Sequence, residues 1–262
     1  MTLSVVLITN NEEANIGRTL TSVMRLVADD KGEIIVVDSG STDRTVEIAQ
    51  SFGAEIFPEE WKGYAAQKNS AIEKARGEWI LSLDGDEEVD AEAAEQIASV
   101  IHSPPAETVR GYYIPRKNHF LGRWIRHGGF WPDPKLRLFL KSAGRFEDRA
   151  VHEDVKIAAN ETRQLRGALL HYSYRTMSDY IRHMNDYSTL GAQMAVAKGY
   201  RGNAFADIVL RPAATFVYNY FFRLGFLDGH EGFLLHLGHS VYVAWKYAKI
   251  WEMLHTSGGT RS

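Results

Sequence analysis

Three apolar runs that each stop abruptly at a polar cluster constrain this chain more than any other feature. Residues 3–8 (Leu-Ser-Val-Val-Leu-Ile) end at Thr9, Asn10, Asn11 and Glu12. Residues 33–37 (Glu-Ile-Ile-Val-Val) end at Asp38, Ser39, Gly40, Ser41, Thr42 and Asp43. Residues 79–83 (Trp-Ile-Leu-Ser-Leu) end at Asp84, Gly85, Asp86, Glu87 and Glu88. Near-continuous aliphatic runs of this length mark strands covered on both faces of a sheet. Residues 14–27, 44–52 and 63–76 between them read as helices, with Gly77 as a C-cap, and residues 54–57 read as a short further strand. The alternation predicts an α/β domain with a mainly parallel sheet and right-handed crossovers. Ligands in such sheets bind beyond the carboxyl ends of the strands, so the three polar clusters are expected at one edge.

The cluster at 84–88 is the most informative. A carboxylate without a partner is costly to bury, so a strand ending in four of them delivers them to a cleft or a cation. Asp84 and Asp86 point the same way in extended chain, and Gly85 between them lets the backbone turn and approach a ligand. Hard oxygen donors of this kind suit Mg²⁺ or Mn²⁺ holding a diphosphate. The competing reading is an acidic first turn for the helix that follows from Asp90.

Other chemistries fail on detail. No Gly-x-Gly-x-x-Gly follows the first run and no Gly-Lys-Ser/Thr occurs, which excludes the dinucleotide fingerprint and the P-loop. Val89 stands where an EF-hand loop needs glycine. The chain has 262 residues, 45% hydrophobic and 24% charged, which is ordinary globular usage with room for a sizeable core. A net charge of −3 makes no case for a nucleic-acid partner, and the absence of cysteine excludes disulfides and thiolate metal sites. The N-terminus has no basic segment before its short apolar run, so a cytoplasmic start is expected rather than a signal peptide.

Residues 3–16, 34–45, Gln67–Lys68–Asn69 and residues 79–89, in this order and with helices between them, resemble the GT-A glycosyltransferases of family 2. Residues 116–153 further resemble a subgroup that extends lipopolysaccharide core, the heptose-modifying glucosyltransferase-like proteins. The resemblance implies the GT-A fold, a Rossmann-like mixed and mainly parallel sheet flanked by helices, and an inverting, metal-dependent hexosyl transfer from a UDP-sugar. It places Thr9, Asn11 and Glu12 at the nucleotide base and ribose, and Asn10 stands where an aromatic residue is often found. Asp38 would accept the uracil imide N–H, Lys68 would lie near the diphosphate or ribose, Asp84 with Gly85 would contact the ribose, and Asp86 would ligate Mn²⁺ or Mg²⁺. Each residue type fits its role: acceptors for an N–H, carboxylates for a hard cation, a cation for phosphates. The alternative for Lys68 is a solvated helix face.

The second half holds the acceptor-side candidates. Residues 108–115 read as a strand, after which residues 116–122 leave the sheet. The loop 128–134 carries Phe130 and Trp131, which can stack on a sugar ring or anchor the loop into the core. Residues 135–140 start by alternating basic and apolar side chains, which puts Lys135 and Arg137 together on the cleft side. Inverting transfer needs a carboxylate to take the proton of the attacking hydroxyl. In the resembling subgroup this acid follows the Asp-x-Asp motif, and Val151-His152-Glu153 best matches its form. Glu153 is therefore the expected base, with Asp154 second, and Glu147 and Asp148 also satisfy the pattern. His171, in the last strand-like run 169–174, is a third metal ligand in the family manner or a satisfied core histidine.

Residues 178–197 read as a helix capped by Ser178. Residues 204–227 and 232–254 are aromatic-rich yet broken by charge, too short in clean apolar length for the ~20 residues of a span. They read as amphipathic helices in a membrane interface, with Arg211, Arg223, Lys246 and Lys249 near headgroups and Trp245, Tyr247 and Trp251 at the boundary. The alternative is a helical hairpin packed on the domain or joining subunits into a homo-oligomer. The expected domains are a catalytic 1–200, divided into a nucleotide-sugar half 1–107 and an acceptor half 108–200, and a helical extension 201–262. The expected activity extends a lipid-linked saccharide at the cytoplasmic membrane face. Transfer to a polyprenyl phosphate and a non-catalytic nucleotide-sugar-binding or membrane scaffold are the alternatives.

Overall fold

The computed structural model describes residues 2–28, 32–102, 108–147 and 155–256. The chain divides into two compact units, Met1–Lys117 with Asp133–His171 and Asn118–Pro132 with Tyr172–Ser262.

The first unit alternates strand and helix: β1 (Leu3–Thr9), α1 (Ile16–Val27), β2 (Gly32–Asp38), α2 (Thr45–Ser51), β3 (Glu55–Pro58), α3 (Tyr64–Lys74) and β4 (Trp79–Asp84). There follow β5 (Glu87–Val89), α4 (Ala91–His102), β6 (Gly111–Phe120), β7 (Arg123–Trp124), β8 (Pro134–Leu140), β9 (Thr162–Gln164) and β10 (Leu169–Tyr174), of which β6 and β10 end in the second unit and β7 lies wholly there. The strand order is β3-β2-β1-β4-β8-β6-β10-β5, with β7 and β9 paired to β6. β1 runs parallel to β2 and β4, and β3 parallel to β2, while β8 is antiparallel to both β4 and β6. This is the expected mixed, mainly parallel α/β architecture.

Register fixes the edge that matters. Thr9 pairs with Asp38 and Ile8 with Asp84, so the polar tips of β1, β2 and β4 stand side by side. The apolar runs are buried on both faces, as their sequences demand. Val5 and Leu7 join Leu81 and Leu83 beneath α1 and α4, while Val6, Ile35 and Ile80 pack with Ala71 and Ile72 of α3. Helix α1 buries Ile16, Leu20 and Val23, one turn apart on one stripe.

Two elements differ from the sequence reading. Residues 87–89, read as an acidic tip, form β5 and pair antiparallel with β10, setting Glu87 opposite His171. β6 continues to Phe120 instead of leaving the sheet at 116, because Arg116 and Lys117 find carboxylates at Asp133 and Asp90 and need not turn to water.

In the second unit, α5 (Met177–Ala197) starts at Thr176, whose hydroxyl accepts from the Asp179 N–H at 3.1 Å. The cap is thus Thr176, not Ser178, since only Thr176 has the extended backbone a cap requires. α6 (Arg211–Val217) lies between two π-helical turns, Ala206–Leu210 and Tyr218–Phe222. A 3₁₀ turn, Gly225–Asp228, leads into α7 (Gly229–Thr256). Phe120, Ile125, Tyr180 and Leu235 form the small core of this unit. Among the described residues no helix is long and apolar enough to cross a membrane.

Candidate active site

Beyond the carboxyl ends of β1, β2 and β4 lies a cavity of about 600 Å³. Thr9, Asn10 and Glu12 after β1, Ser39 after β2 and Asp84, Gly85 and Asp86 after β4 line it, and Trp61 and Tyr64 face it from the start of α3. Gly85 is required by proximity, because a Cβ there would stand 2.8 Å from Glu12 Cγ. Its carbonyl accepts the Thr19 hydroxyl at 2.8 Å, which ties the turn to α1.

The two aspartates of the turn have different surroundings. Asp84 is half-buried, with Lys68 Nζ 2.9 Å from Oδ1 and the Arg137 guanidinium on Oδ2. Burial works against its charge, but Arg137 and then Lys68 outweigh it and hold the carboxyl well below the usual carboxylate range. Asp86 has His171 Nε2 3.3 Å from Oδ2. Burial again raises its pKa, and attraction to His171 with their hydrogen bond prevails and lowers it. Glu12, packed against Gly85, behaves oppositely. Burial pushes its pKa up, the Asn15 amide pulls it down, and repulsion from Asp86, Asp84 and Asp43 adds to the rise.

Behind the cavity runs a chain of alternating charge. Glu87, fully buried, accepts from Arg137 at 2.7 Å and Arg116 at 3.3 Å, and it also accepts the Asp84 N–H at 3.1 Å. Arg116 reaches Asp133 at 2.7 Å, and Lys135 lies 3.0 Å from the same carboxylate. Burial raises the Asp133 pKa, but attraction to Arg116 and then Lys135, with their hydrogen bonds, outweighs it and lowers it to about 2.

Each candidate from the sequence that falls among the described residues has a definite place. Thr9, Glu12, Asp84, Gly85 and Asp86 line the cavity, and His171 abuts Asp86. Lys68 is buried, its ammonium on Asp84 and 5.2 Å from the Phe146 ring centre, so it is no solvated helix face. Asn11 turns to the β2 loop, where its side-chain oxygen accepts the Thr42 N–H at 2.8 Å. Asp38 accepts from the Thr9 hydroxyl, the Gly40 and Ser41 N–H groups and the Ser41 hydroxyl, which fill its acceptor sites and shape the loop beside the cavity. Arg137 is buried against Asp84 and Glu87, and the chain from Glu87 through Arg116 and Asp133 links it to Lys135. Trp131 belongs to the second unit and meets Trp124 edge-on at 5.3 Å. Glu153 and Asp154 lie outside the described residues. Phe146 and Val155, which flank that segment, bridge to each other, and Asn69 exchanges two 2.9 Å hydrogen bonds with the Phe146 backbone.

Sequence reasoning missed Trp61, Tyr64, Glu87, Arg116 and Asp133. Trp61 and Tyr64 meet edge-on at 4.7 Å, and their signal was a pair of aromatics in the loop after a strand end. Arg116 and Asp133 carried no local signal.

Asp86 and His171 supply one oxygen and one nitrogen donor at the cavity wall. Among the described residues no three His, Asp or Glu side chains converge as a ready-made cage. Small divalent cations are held by one or two carboxylates together with substrate phosphates, so the donor set fits an ion carried in with a diphosphate. Asp84, spent on Lys68 and Arg137, fits that task less well.

A sheet of this topology with a polar cavity at its carboxyl edge is the GT-A fold, which the two solved structures below share. Glycosyl transferase family 2 matches residues 4–181, and the chain belongs to that family. It is a glycosyltransferase. Over 95% of its length and 92% of the relative's, it is 30% identical to the lipopolysaccharide core biosynthesis glycosyltransferase LpsC of Rhizobium meliloti. Two solved structures share the fold. The mannosyltransferase PcManGT of Pyrobaculum calidifontis, in complex with GDP-Man and Mn²⁺, superposes with a TM-score of 0.55 at 15% identity, covering 95% of this chain and 86% of that one. TarS 1-349 of S. aureus, in complex with UDP, gives 0.50 at 16% identity, covering 100% and 93%.

Proposed function

We propose that this glycosyltransferase is an inverting, metal-dependent enzyme that moves a hexose from a UDP-sugar, UDP-glucose first, to a lipid-linked saccharide of the lipopolysaccharide core type at the cytoplasmic membrane face. The observation that carries the reading is the Asp84–Gly85–Asp86 turn, which lines a 600 Å³ cavity with Asp86 against His171. The similarity to LpsC over nearly the whole chain favours the acceptor class.

The donor half, residues 1–107, does its work by position. Trp61 and Tyr64 offer the aromatic faces that Asn10 lacks, and the uracil ring stacks there. Thr9, Asn10 and Ser39 face the base and ribose, with Asp38 and Asn11 holding their loops in shape. Asp84, kept ionised by Lys68 and Arg137, accepts from the ribose hydroxyls. Asp86 and His171 hold Mn²⁺ or Mg²⁺, which when bound supplies positive charge to the departing diphosphate. Arg137 serves through Asp84 rather than by touching a phosphate.

The acceptor half, residues 108–200, brings the nucleophile. Glu153, with Asp154 second, takes the proton from the acceptor hydroxyl as its oxygen bonds to the sugar's anomeric carbon and the bond to UDP breaks. Phe146, bridged to Val155, lies under Lys68, the partner of Asp84, and this supports the reading that the chain after β8 belongs to the site. Trp131 and Lys135 serve acceptor recognition.

The test is UDP release from UDP-glucose in Mn²⁺ with truncated core oligosaccharide as acceptor. Wild type releases UDP in an acceptor-dependent way. Glu153→Gln keeps UDP binding and loses at least about a hundredfold in turnover. Wild-type-like turnover in that variant removes Glu153 as the base, and no release by wild type from any UDP-hexose rejects the function.

A further inference from the structure

The second unit displays apolar side chains where it could have hidden them. From Val217 through the turn Tyr218–Phe222 to Leu227, the large apolar groups Val217, Phe221, Phe222, Leu224, Phe226 and Leu227 are all exposed, Phe222 at 75%. Solvent-facing apolar clusters of this kind mark interaction surfaces.

The turn that carries them is built on a fixed base. Gly225 is buried so close to His236 that a Cβ would stand 2.3 Å from Nε2. Asp228, also buried, accepts the N–H groups of Arg126 and His127, the latter at 2.8 Å. The outward side chains therefore sit on an anchored turn. Leu224 adds a second observation: it occupies the left-handed region at φ 59°, ψ 26°, where a bulky L-residue is strained and glycine is free. A leucine held there with its side chain 46% exposed is a display position, and strain of this kind gathers at functional segments.

Charge selects the partner. Residues 208–227 contain no aspartate or glutamate, and their two charged residues are Arg211 and Arg223. The acids at either end, Asp207 and Asp228, are buried and bonded, Asp207 to Arg211 and the Tyr200 hydroxyl. The segment thus shows apolar tips and a guanidinium, Arg223 over the Tyr218 ring, and no carboxylate. An anionic bilayer surface answers that pattern. Of the residues expected from sequence, Lys249, placed near headgroups, is spent on the Asn185 carbonyl and the Ser188 and Thr189 hydroxyls, and the boundary residues Trp245 and Tyr247 are half-buried, while Trp251 is exposed.

We infer that residues 217–227 are a membrane-docking tip that enters the headgroup layer of an anionic bilayer, with Arg223 at the lipid phosphates. The inference deepens the proposed function, resting on its lipid-linked acceptor for the reason the enzyme meets a bilayer, but it has its own readout.

The test is flotation of the full chain with vesicles of phosphatidylglycerol and phosphatidylethanolamine, against phosphatidylcholine alone. Wild type floats with the anionic vesicles and at least several-fold less with the neutral ones. The double substitution Phe221→Asp and Phe222→Asp lowers partitioning by at least about tenfold. Leu224→Gly lowers it several-fold while the thermal midpoint stays level or rises, which a residue of purely structural role would not do. UDP binding in Mn²⁺ is unchanged in both. Wild-type flotation by the variants, no flotation by wild type, or equal partitioning onto neutral vesicles overturns the inference. A dimer that the double substitution splits, with no vesicle binding by wild type, assigns the surface to a second copy and overturns it too. A wild-type chain that floats with anionic vesicles yet releases no UDP from any UDP-hexose upholds the tip and removes the proposed function.

Discussion

Asp84 and Asp86, two residues apart, end in unlike company: one between Lys68 and Arg137, the other against a histidine at the cavity wall. That contrast supports the proposal that Asp84 accepts hydrogen bonds from the ribose and Asp86 holds the cation. Beside them, against Gly85, Glu12 is a carboxylate raised in pKa by burial and by its acidic neighbours. The sign follows from linkage: a folded-state pKa above the unfolded one means the ionised form is penalised, so Glu12 lowers stability once pH rises through its folded value. Glu12→Gln should raise the thermal midpoint at pH 7, and the gain over wild type should vanish below the ordinary glutamate range. A gain that persists at pH 3 would contradict the assignment. Trp61 is the other residue whose role the structure suggests and the sequence hid. Stacking on an aromatic face is worth about 1–3 kcal/mol per base, so Trp61→Ala should weaken UDP binding roughly 5–150-fold by calorimetry. Unchanged affinity would place the base elsewhere.

At the scale of elements, the polar tips of β1, β2 and β4 were legible because each is written in consecutive residues, and strand register alone sets them side by side. The ladder behind them was not. Its members come from β4, β5, β6, β8 and the loop before β8, and Arg116 and Asp133 are neighbours only after folding. Periodicity put Arg137 beside Lys135 on the cleft side, and the guanidinium does reach Asp84 at the cavity, but its burial against Glu87 was not legible, because β8 lies between β4 and β6 only after folding. Glu87 read as one more acid of the strand-end cluster, and its full burial came only with the pairing of β5 and β10. Removing one partner from a buried ion pair leaves an uncompensated charge, which costs about 3–5 kcal/mol. Arg137→Met should therefore lower the unfolding free energy read from urea denaturation by an amount of that order, with a lower midpoint, and weaken UDP binding through Asp84. A wild-type midpoint would mean that Glu87 and Asp84 do not depend on it.

For the whole molecule, the first unit contains the cavity and every donor-side candidate, and the second contains Trp131 and the exposed tip at residues 217–227. The helical character of the tail was legible from its aromatic-rich, charge-broken sequence. Which of its faces meets solvent was not, because the burial of Asp207, Asp228 and His236 depends on contacts across the unit. The acid expected to act as base lies in a segment outside the described residues, so donor chemistry offers the firmer ground for a decisive experiment. That experiment is UDP release from UDP-glucose titrated with Mn²⁺, wild type beside Asp86→Asn. Saturable dependence on Mn²⁺ in wild type, with the half-saturating concentration raised at least about tenfold in the variant, is the predicted result. Wild-type release in the presence of a chelator, or identical Mn²⁺ curves for the two proteins, would contradict a metal held at Asp86.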